Sequence, residues 1–191
     1  MNLMKIFLTA FLIDNVVLMR FLALCPFIGM STDEDKSIGM GLAVTFVTVI
    51  ATCVTWPIYK FILEPRGLVF LQILVFILVI ASLVQLVEFF LKKMVPSLYG
   101  AMGIYLALIT TNCAILAVTF DVISSGYNLI ESIVYAIGVA MGFLLSLLML
   151  AGVRNRIRTS PVPAFLKGTP VLFASAALLS IAFMGFKGLV Q

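Results

Sequence analysis

Histidine is absent from this chain of 191 residues, and charge is scarce: Asp, Glu, Lys and Arg together make up 10% of it. Without histidine, Ser-His-Asp catalysis, histidine-ligated haem and histidine-containing zinc sites are all excluded within the chain. No P-loop or dinucleotide fingerprint occurs, which removes those devices for binding ATP or NAD. The basic residues form no aromatic-interleaved run, so nothing in the sequence suggests a nucleic-acid partner. Cysteine is limited to three positions. A soluble domain carries about a quarter charged residues, and this deficit is too deep for one.

What fills the chain instead is apolar: 63% of it is hydrophobic and the mean hydropathy is +1.25. A membrane span needs ~20 mostly apolar residues. The backbone of such a span must satisfy its own hydrogen bonds, as a helix or a closed barrel. The apolar runs here are long and do not alternate with period two, so they read as helices. Six segments are expected, at roughly 4–30, 38–62, 68–91, 99–120, 128–152 and 169–189. Short polar connections separate them: Asp33 to Lys36, Glu64-Pro65-Arg66-Gly67, Lys92-Lys93 before Pro96, Ser124-Ser125-Gly126, and Arg154 to Pro170 with Pro161 and Pro163. The start of the chain, with Lys5 and no small-x-small cleavage site, reads as a retained first span. Counting Lys and Arg in alternate loops sets Lys36, Lys92, Lys93, Arg154, Arg156, Arg158 and Lys167 against Lys5, Lys60, Arg66 and Lys187. The positive-inside rule then places the 154–168 loop in the cytoplasm and both termini outside.

The first and fourth segments differ from the rest. The first holds Asp14, Asn15 and Arg20 and ends in Leu24-Cys25-Pro26; the fourth holds Thr110-Thr111-Asn112-Cys113. Pro26 lacks an N–H and disfavours helical backbone at Cys25, which predicts a break there. The hydroxyls and amide of Thr110, Thr111 and Asn112 compete with helix by bonding locally. The expected fold is therefore all-α and membrane-embedded: one integral membrane domain over 1–191, made of two inverted three-helix repeats. These run over about 1–95 and 96–191, each opening with an interrupted helix. In such repeats the interrupted helices meet near the midplane and build the site.

Candidate chemistry lies with thiols and buried charge, and no catalytic residue is apparent. Cys53 sits in an uninterrupted span and reads as a packing residue. Cys25 and Cys113 sit where unwound backbone N–H groups can face a sulfur. Soft sulfur points to iron–sulfur, copper(I) or zinc, and two thiolates are half of the four-cysteine set of an iron–sulfur cluster. A disulfide between Cys25 and Cys113 is the structural rival. Ionisable groups inside a membrane are functional by default, which singles out Asp14, Arg20 and Glu88. Arg20 and Glu88 can instead snorkel, and Glu88 forms a favourable helical pair with Lys92. Asn15 is placed either to ligate an ion or to cap the broken helix.

These residues resemble a known family. Asn15-Val16-Val17-Leu18, Phe21-Leu22-Ala23-Leu24-Cys25-Pro26-Phe27, Ile38-Gly39-Met40-Gly41-Leu42-Ala43, Leu108 to Ala114 and Ala182 to Leu189 are similar to the A-type subunits of the Rnf complex. That complex is the bacterial ion-translocating ferredoxin:NAD⁺ oxidoreductase. The related subunit of the Na⁺-translocating NADH:quinone reductase usually lacks the Cys-Pro pair, so Pro26 favours Rnf. The resemblance implies an inner-membrane electron-transport protein paired with a homologous subunit of opposite orientation (RnfE-like) and with the B, C, D and G subunits of Rnf. It implies an intramembrane [2Fe–2S] cluster with Cys25 and Cys113 as this chain's ligands. Asp14, Asn15, Thr111 and Asn112 stand around the site, shaping it or coupling ions, and turnover exports Na⁺ or H⁺. Two positions depart from the pattern: Asp14 where relatives commonly carry Asn, and Ala107 where they commonly carry Pro. The rival readings are an ion-conducting subunit using Asp14, and a purely structural anchor.

Overall fold

A computed structural model describes residues 3–31, 34–65, 67, 69–94, 112–159, 161 and 168–185. Its regular elements are helical. The first segment is α1 (Leu3–Leu8) running into a π-helical turn (Thr9–Ile13), then α2 (Val16–Arg20) and α3 (Leu24–Met30). Next come α4 (Glu34–Ile58), continued by a second π-turn (Tyr59–Leu63), and α5 (Gln72–Met94). The later elements are α6 (Cys113–Ser124), α7 (Leu129–Arg158) and α8 (Thr169–Met184).

Three of these stretches, Ser37–Leu63, Gln72–Phe89 and Leu129–Arg158, are long and apolar enough to cross a membrane, and three more are shorter apolar helices. They lie on the expected segments with shifted limits: α7 runs on to Arg158, so Arg154, Arg156 and Arg158, expected in a loop, are helical, and the first half of the fourth segment lies outside the described residues. α7 and α4 pack on one another at the centre, with Phe143, Leu147, Leu150, Met40, Val44 and Val47 all buried. α5 is peripheral: Ile73, Leu74, Ile77, Leu78, Leu86 and Phe89 are exposed, an apolar face that suits lipid or protein but not water.

The polar groups in these helices are satisfied locally, as a membrane interior requires. Thr48, Thr52 and Thr55 of α4 donate their hydroxyls to the carbonyls of Val44, Thr48 and Ala51 one turn back. α7 opens on a capping box, in which the Asn128 backbone N–H donates to Glu131. Pro57 near the end of α4 has no N–H to give, and the helix widens into its π-turn directly after it.

Glycines let the first segment lie flat on α7. A Cβ at Gly142 would sit 2.8 Å from the Phe11 carbonyl oxygen, and one at Gly138 would sit 2.9 Å from the Ala10 Cβ. The first segment and α7 thus touch with backbone on backbone, the small-residue packing that membrane helices use.

Candidate functional site

The first segment breaks twice. At the first break Asn15 leaves helical geometry and caps α2: its Oδ1 accepts from the N–H groups of Val17 (3.2 Å) and Leu18 (3.3 Å). Its Nδ2 donates to the Gly142 carbonyl (2.9 Å) and the Ser146 hydroxyl (2.6 Å) on α7. Asn15 is fully buried, and all four bonds go to protein. Asp14, half-buried beside it, closes the π-turn with its backbone N–H on the Thr9 carbonyl. Of the two roles open to Asn15 in the sequence, the side chain occupies that of the cap.

The second break lies at Phe21 and Ala23, both in left-handed backbone at φ 52° and 58°. Such a conformation costs a non-glycine residue about 1–2 kcal/mol. The expected break at Cys25 is therefore displaced towards the N-terminus, and Cys25 itself is helical. The reason is the place of Pro26 in the first turn of α3. There a missing N–H leaves no bond unmade, and the ring prevents the helix from extending backwards. At the far end of α3, Arg154 of α7 donates to the Ile28 carbonyl (3.1 Å) and the Ser31 hydroxyl (3.0 Å). A guanidinium on the last carbonyls of a helix complements its dipole.

α6 begins by the same device as α2. Asn112 is extended, and its Oδ1 accepts from the Ala114 N–H at 3.0 Å. Cys113 is the first residue of the helix. Its Sγ accepts a hydrogen bond from the Ala23 N–H at 2.9 Å, so the second break of the first segment meets the start of α6. Cys25 follows Ala23 by two positions, so both cysteines lie in the first turn of a helix, joined through the Ala23 to Cys113 bond. Both are exposed free thiols, with no disulfide between them. Thr111 and Ala107 lie outside the described residues. Cys53 is half-buried within α4.

Asp121 and Tyr135 fix the depth of this junction. Arg20 donates to both carboxylate oxygens of Asp121 (2.9 and 2.7 Å), and the Tyr135 hydroxyl reaches the same group at 3.3 Å. Cys113 precedes Asp121 by two helical turns, or ~12 Å at 1.5 Å per residue, while Tyr135 to Arg154 spans ~28 Å of α7 by the same rise. The Cys113 end of α6 therefore lies near the middle of α7, at the level where Asn15 docks. Asp121, Ser146 and Arg154 were not legible as neighbours of this site. Asp121 fell just past an apolar segment, Ser146 looked like an ordinary helix residue, and Arg154 read only as a topology signal.

Among the described residues no three His, Cys, Asp or Glu side chains come together to hold a metal. Two soft thiolates, one already accepting a backbone N–H, match half of an iron–sulfur ligand set. A further observation fits the same chemistry: Asn112 Nδ2 is buried and has no hydrogen-bond partner among the described residues. That is a donor left over one residue from a cysteine.

Comparison with known proteins gives a consistent picture. The family model described as "Rnf-Nqr subunit, membrane protein" matches residues 3–190. A protein of Syntrophotalea carbinolica, named as the A-type subunit of an ion-translocating oxidoreductase complex, is 50% identical over 99% of this chain and 98% of its own. A protein of Acetobacterium woodii, named as the A-type subunit of a Na(+)-translocating ferredoxin:NAD(+) oxidoreductase complex, is 48% identical over the same shares. Another, from Cereibacter sphaeroides and named as the first, is 50% identical over 96% of this chain and 95% of its own.

Proposed function

The chain belongs to the Rnf-Nqr family of membrane subunits, and we propose that it is the A-type subunit of an ion-translocating ferredoxin:NAD⁺ oxidoreductase, supplying two of the four thiolates that hold an intramembrane [2Fe–2S] cluster. The ligands are Cys25 and Cys113. The observation that carries this reading is the hydrogen bond from Ala23 to Cys113. It joins two cysteine-bearing helix starts that lie half the chain apart, at mid-depth of the central helix.

When bound, a [2Fe–2S] cluster accepts and passes on one electron at a time. The hydrocarbon core is ~30 Å thick, so a mid-depth relay divides one long jump into two shorter ones. The chain's own residues prepare the place. Asn15 pins the first break to α7, Arg154 holds the far end of α3, and the left-handed turn at Phe21–Ala23 aims the Ala23 N–H at Cys113.

The remaining two thiolates come from a homologous subunit of opposite orientation (RnfE-like), because this chain has no further cysteine at the junction. The other partners are the B, C, D and G subunits of Rnf. The chain is read as six spans in two inverted repeats, about 1–95 and 96–191, in a bacterial inner membrane, with the basic 154–168 stretch, which begins as the end of α7, cytoplasmic and the termini outside. Two repeated devices support the internal symmetry. Asn15 and Asn112 each cap the helix that follows them. On the central helices, Thr45 donates to the Gly41 carbonyl (2.7 Å) as Ser146 donates to that of Gly142 (2.8 Å). The four bonds of Asn15 weigh against its use as an ion ligand, which leaves its half-buried neighbour Asp14 as the candidate for coupling to Na⁺ or H⁺.

The test is iron and acid-labile sulfide in the purified complex, with Cys25→Ser and Cys113→Ser beside the wild type. Loss of one cluster equivalent in each variant, with every subunit still assembled, supports shared ligation. Unchanged iron and sulfide in both would sink it.

A further inference from the structure

Asn15 and Asn112 share a cap and differ in what is left over. Each Oδ1 accepts from the first turn of the helix it opens, which fixes which end of the amide faces the backbone. Rotating either amide by half a turn would set NH₂ against N–H, so the Nδ2 positions are determined. For Asn15 both Nδ2 hydrogens are used, on Gly142 and Ser146 of α7. For Asn112 Nδ2 neither is used among the described residues, although the residue is 95% buried, being 5% exposed. Gly41 and Thr45 of α4 repeat the glycine-and-hydroxyl pattern that receives Asn15, yet no acceptor on α4 meets Asn112.

A buried amide donor without an acceptor carries its full desolvation penalty, and such groups persist where function requires them. At mid-depth no bulk water can stand in. A cation is the wrong occupant, since the free end of the amide carries hydrogens. What the donor lacks is an electron-rich acceptor beside Cys113, where the Ala23 N–H already meets sulfur.

We infer that the Asn112 side-chain amide donates a hydrogen bond to a sulfur of the shared cluster, thiolate or sulfide, and thereby raises the cluster's reduction potential. This rests on the cluster reading above and adds to it a positioning and tuning residue. The direction follows from charge. The reduced cluster carries one more negative charge, largely felt at its sulfurs, so an N–H donor stabilises the reduced form more than the oxidised one. Asn15, whose donors are spent on α7, has no such effect, and the two capping residues of the internal repeat thus differ in role.

The experiment is a redox titration of the purified complex followed by electron paramagnetic resonance, comparing wild type with Asn112→Ser and Asn112→Asp. Both replacements keep an acceptor suited to capping and remove the amide donor. At the wild-type midpoint the ratio of reduced to oxidised cluster should fall in both variants. In Asn112→Asp, which also adds negative charge, the fall should be about tenfold, equivalent to about 59 mV for a one-electron couple. A normal cluster with an unshifted midpoint in both variants overturns the inference and leaves the cluster reading intact. A wild-type complex with no [2Fe–2S] signal overturns both. Should the variants fail to assemble, wild-type complex labelled with side-chain-amide ¹⁵N asparagine decides the matter by pulsed resonance: a ¹⁵N hyperfine coupling to the cluster supports the bond, and its absence overturns it.

Discussion

Exchanging Asn15 for Asp, beside Asn15→Ala, separates a structural pin from an ion ligand. The alanine variant loses the cap on α2, worth ~1 kcal/mol. It also loses two interhelical hydrogen bonds to α7, each worth ~0.6 kcal/mol in membrane proteins. The expected destabilisation is therefore about 2–3 kcal/mol. Aspartate keeps the capping oxygen but turns the donor end into a second acceptor. The Ser146 hydroxyl can rotate to meet it, whereas the Gly142 carbonyl cannot. A fully buried carboxylate without a cation then costs about 3 kcal/mol or more, so Asn15→Asp should damage the protein at least as much as Asn15→Ala. The assay is the apparent thermal midpoint of the detergent-purified complex under identical conditions, with the Na⁺ dependence of turnover measured alongside. An Asn15→Asp complex as stable as wild type, half-saturating at lower Na⁺, would make Asn15 an ion ligand and not a pin.

Other residues give sharper contrasts in the same assays. Gly142→Ala drives a Cβ to 2.8 Å from the Phe11 backbone oxygen, which cannot swing aside, so a loss of about 1–3 kcal/mol is expected. Gly152→Ala, where a Cβ meets nothing within 4 Å, should be neutral or stabilising by up to ~1 kcal/mol through helix propensity; equal effects from the two would contradict backbone-on-backbone packing at Gly142. Arg154→Ala frees the far end of α3, the helix whose start carries Cys25, and reduced iron per assembled complex is expected, with Arg154→Lys intermediate. Full iron in Arg154→Ala would show that the clamp on Ile28 and Ser31 is dispensable. The Arg20–Asp121 pair has side chains 42% and 20% exposed, so a double-mutant cycle with Arg20→Gln and Asp121→Asn should give a coupling below ~1 kcal/mol. A coupling of several kcal/mol would mean that the pair lies in a far drier setting.

The helices and their approximate limits were legible because apolar runs of membrane length leave little choice of structure. The disturbance of the first segment was legible too, from Asn15 and Pro26, though not its position. Proline marks a helix start as readily as a break, and only the left-handed turn at Phe21–Ala23 shows which applies here. Two non-glycine residues with positive φ have no sequence signature. Partners distant in the chain were equally hidden. Arg154 reaches Ile28 and Ser31, and Arg20 reaches Asp121 rather than Asp14; neither follows from helical spacing. The spent donors of Asn15 and the idle donor of Asn112 look alike in sequence, since both precede an apolar run as helix caps. What separates them is the presence of Gly142 and Ser146 against one and of no described acceptor against the other.

Joint ligation of half a cluster by Cys25 and Cys113 is decided by electron paramagnetic resonance of the reduced complex. Wild type, Cys25→Ser and Cys113→Ser should be purified as intact complexes and compared at the same level of reduction. One [2Fe–2S] signal is expected in wild type and should be lost from both variants, with Cys53→Ser retaining it. A wild-type signal that survives both exchanges unchanged would rule out shared ligation and return the two cysteines to the role of packing residues.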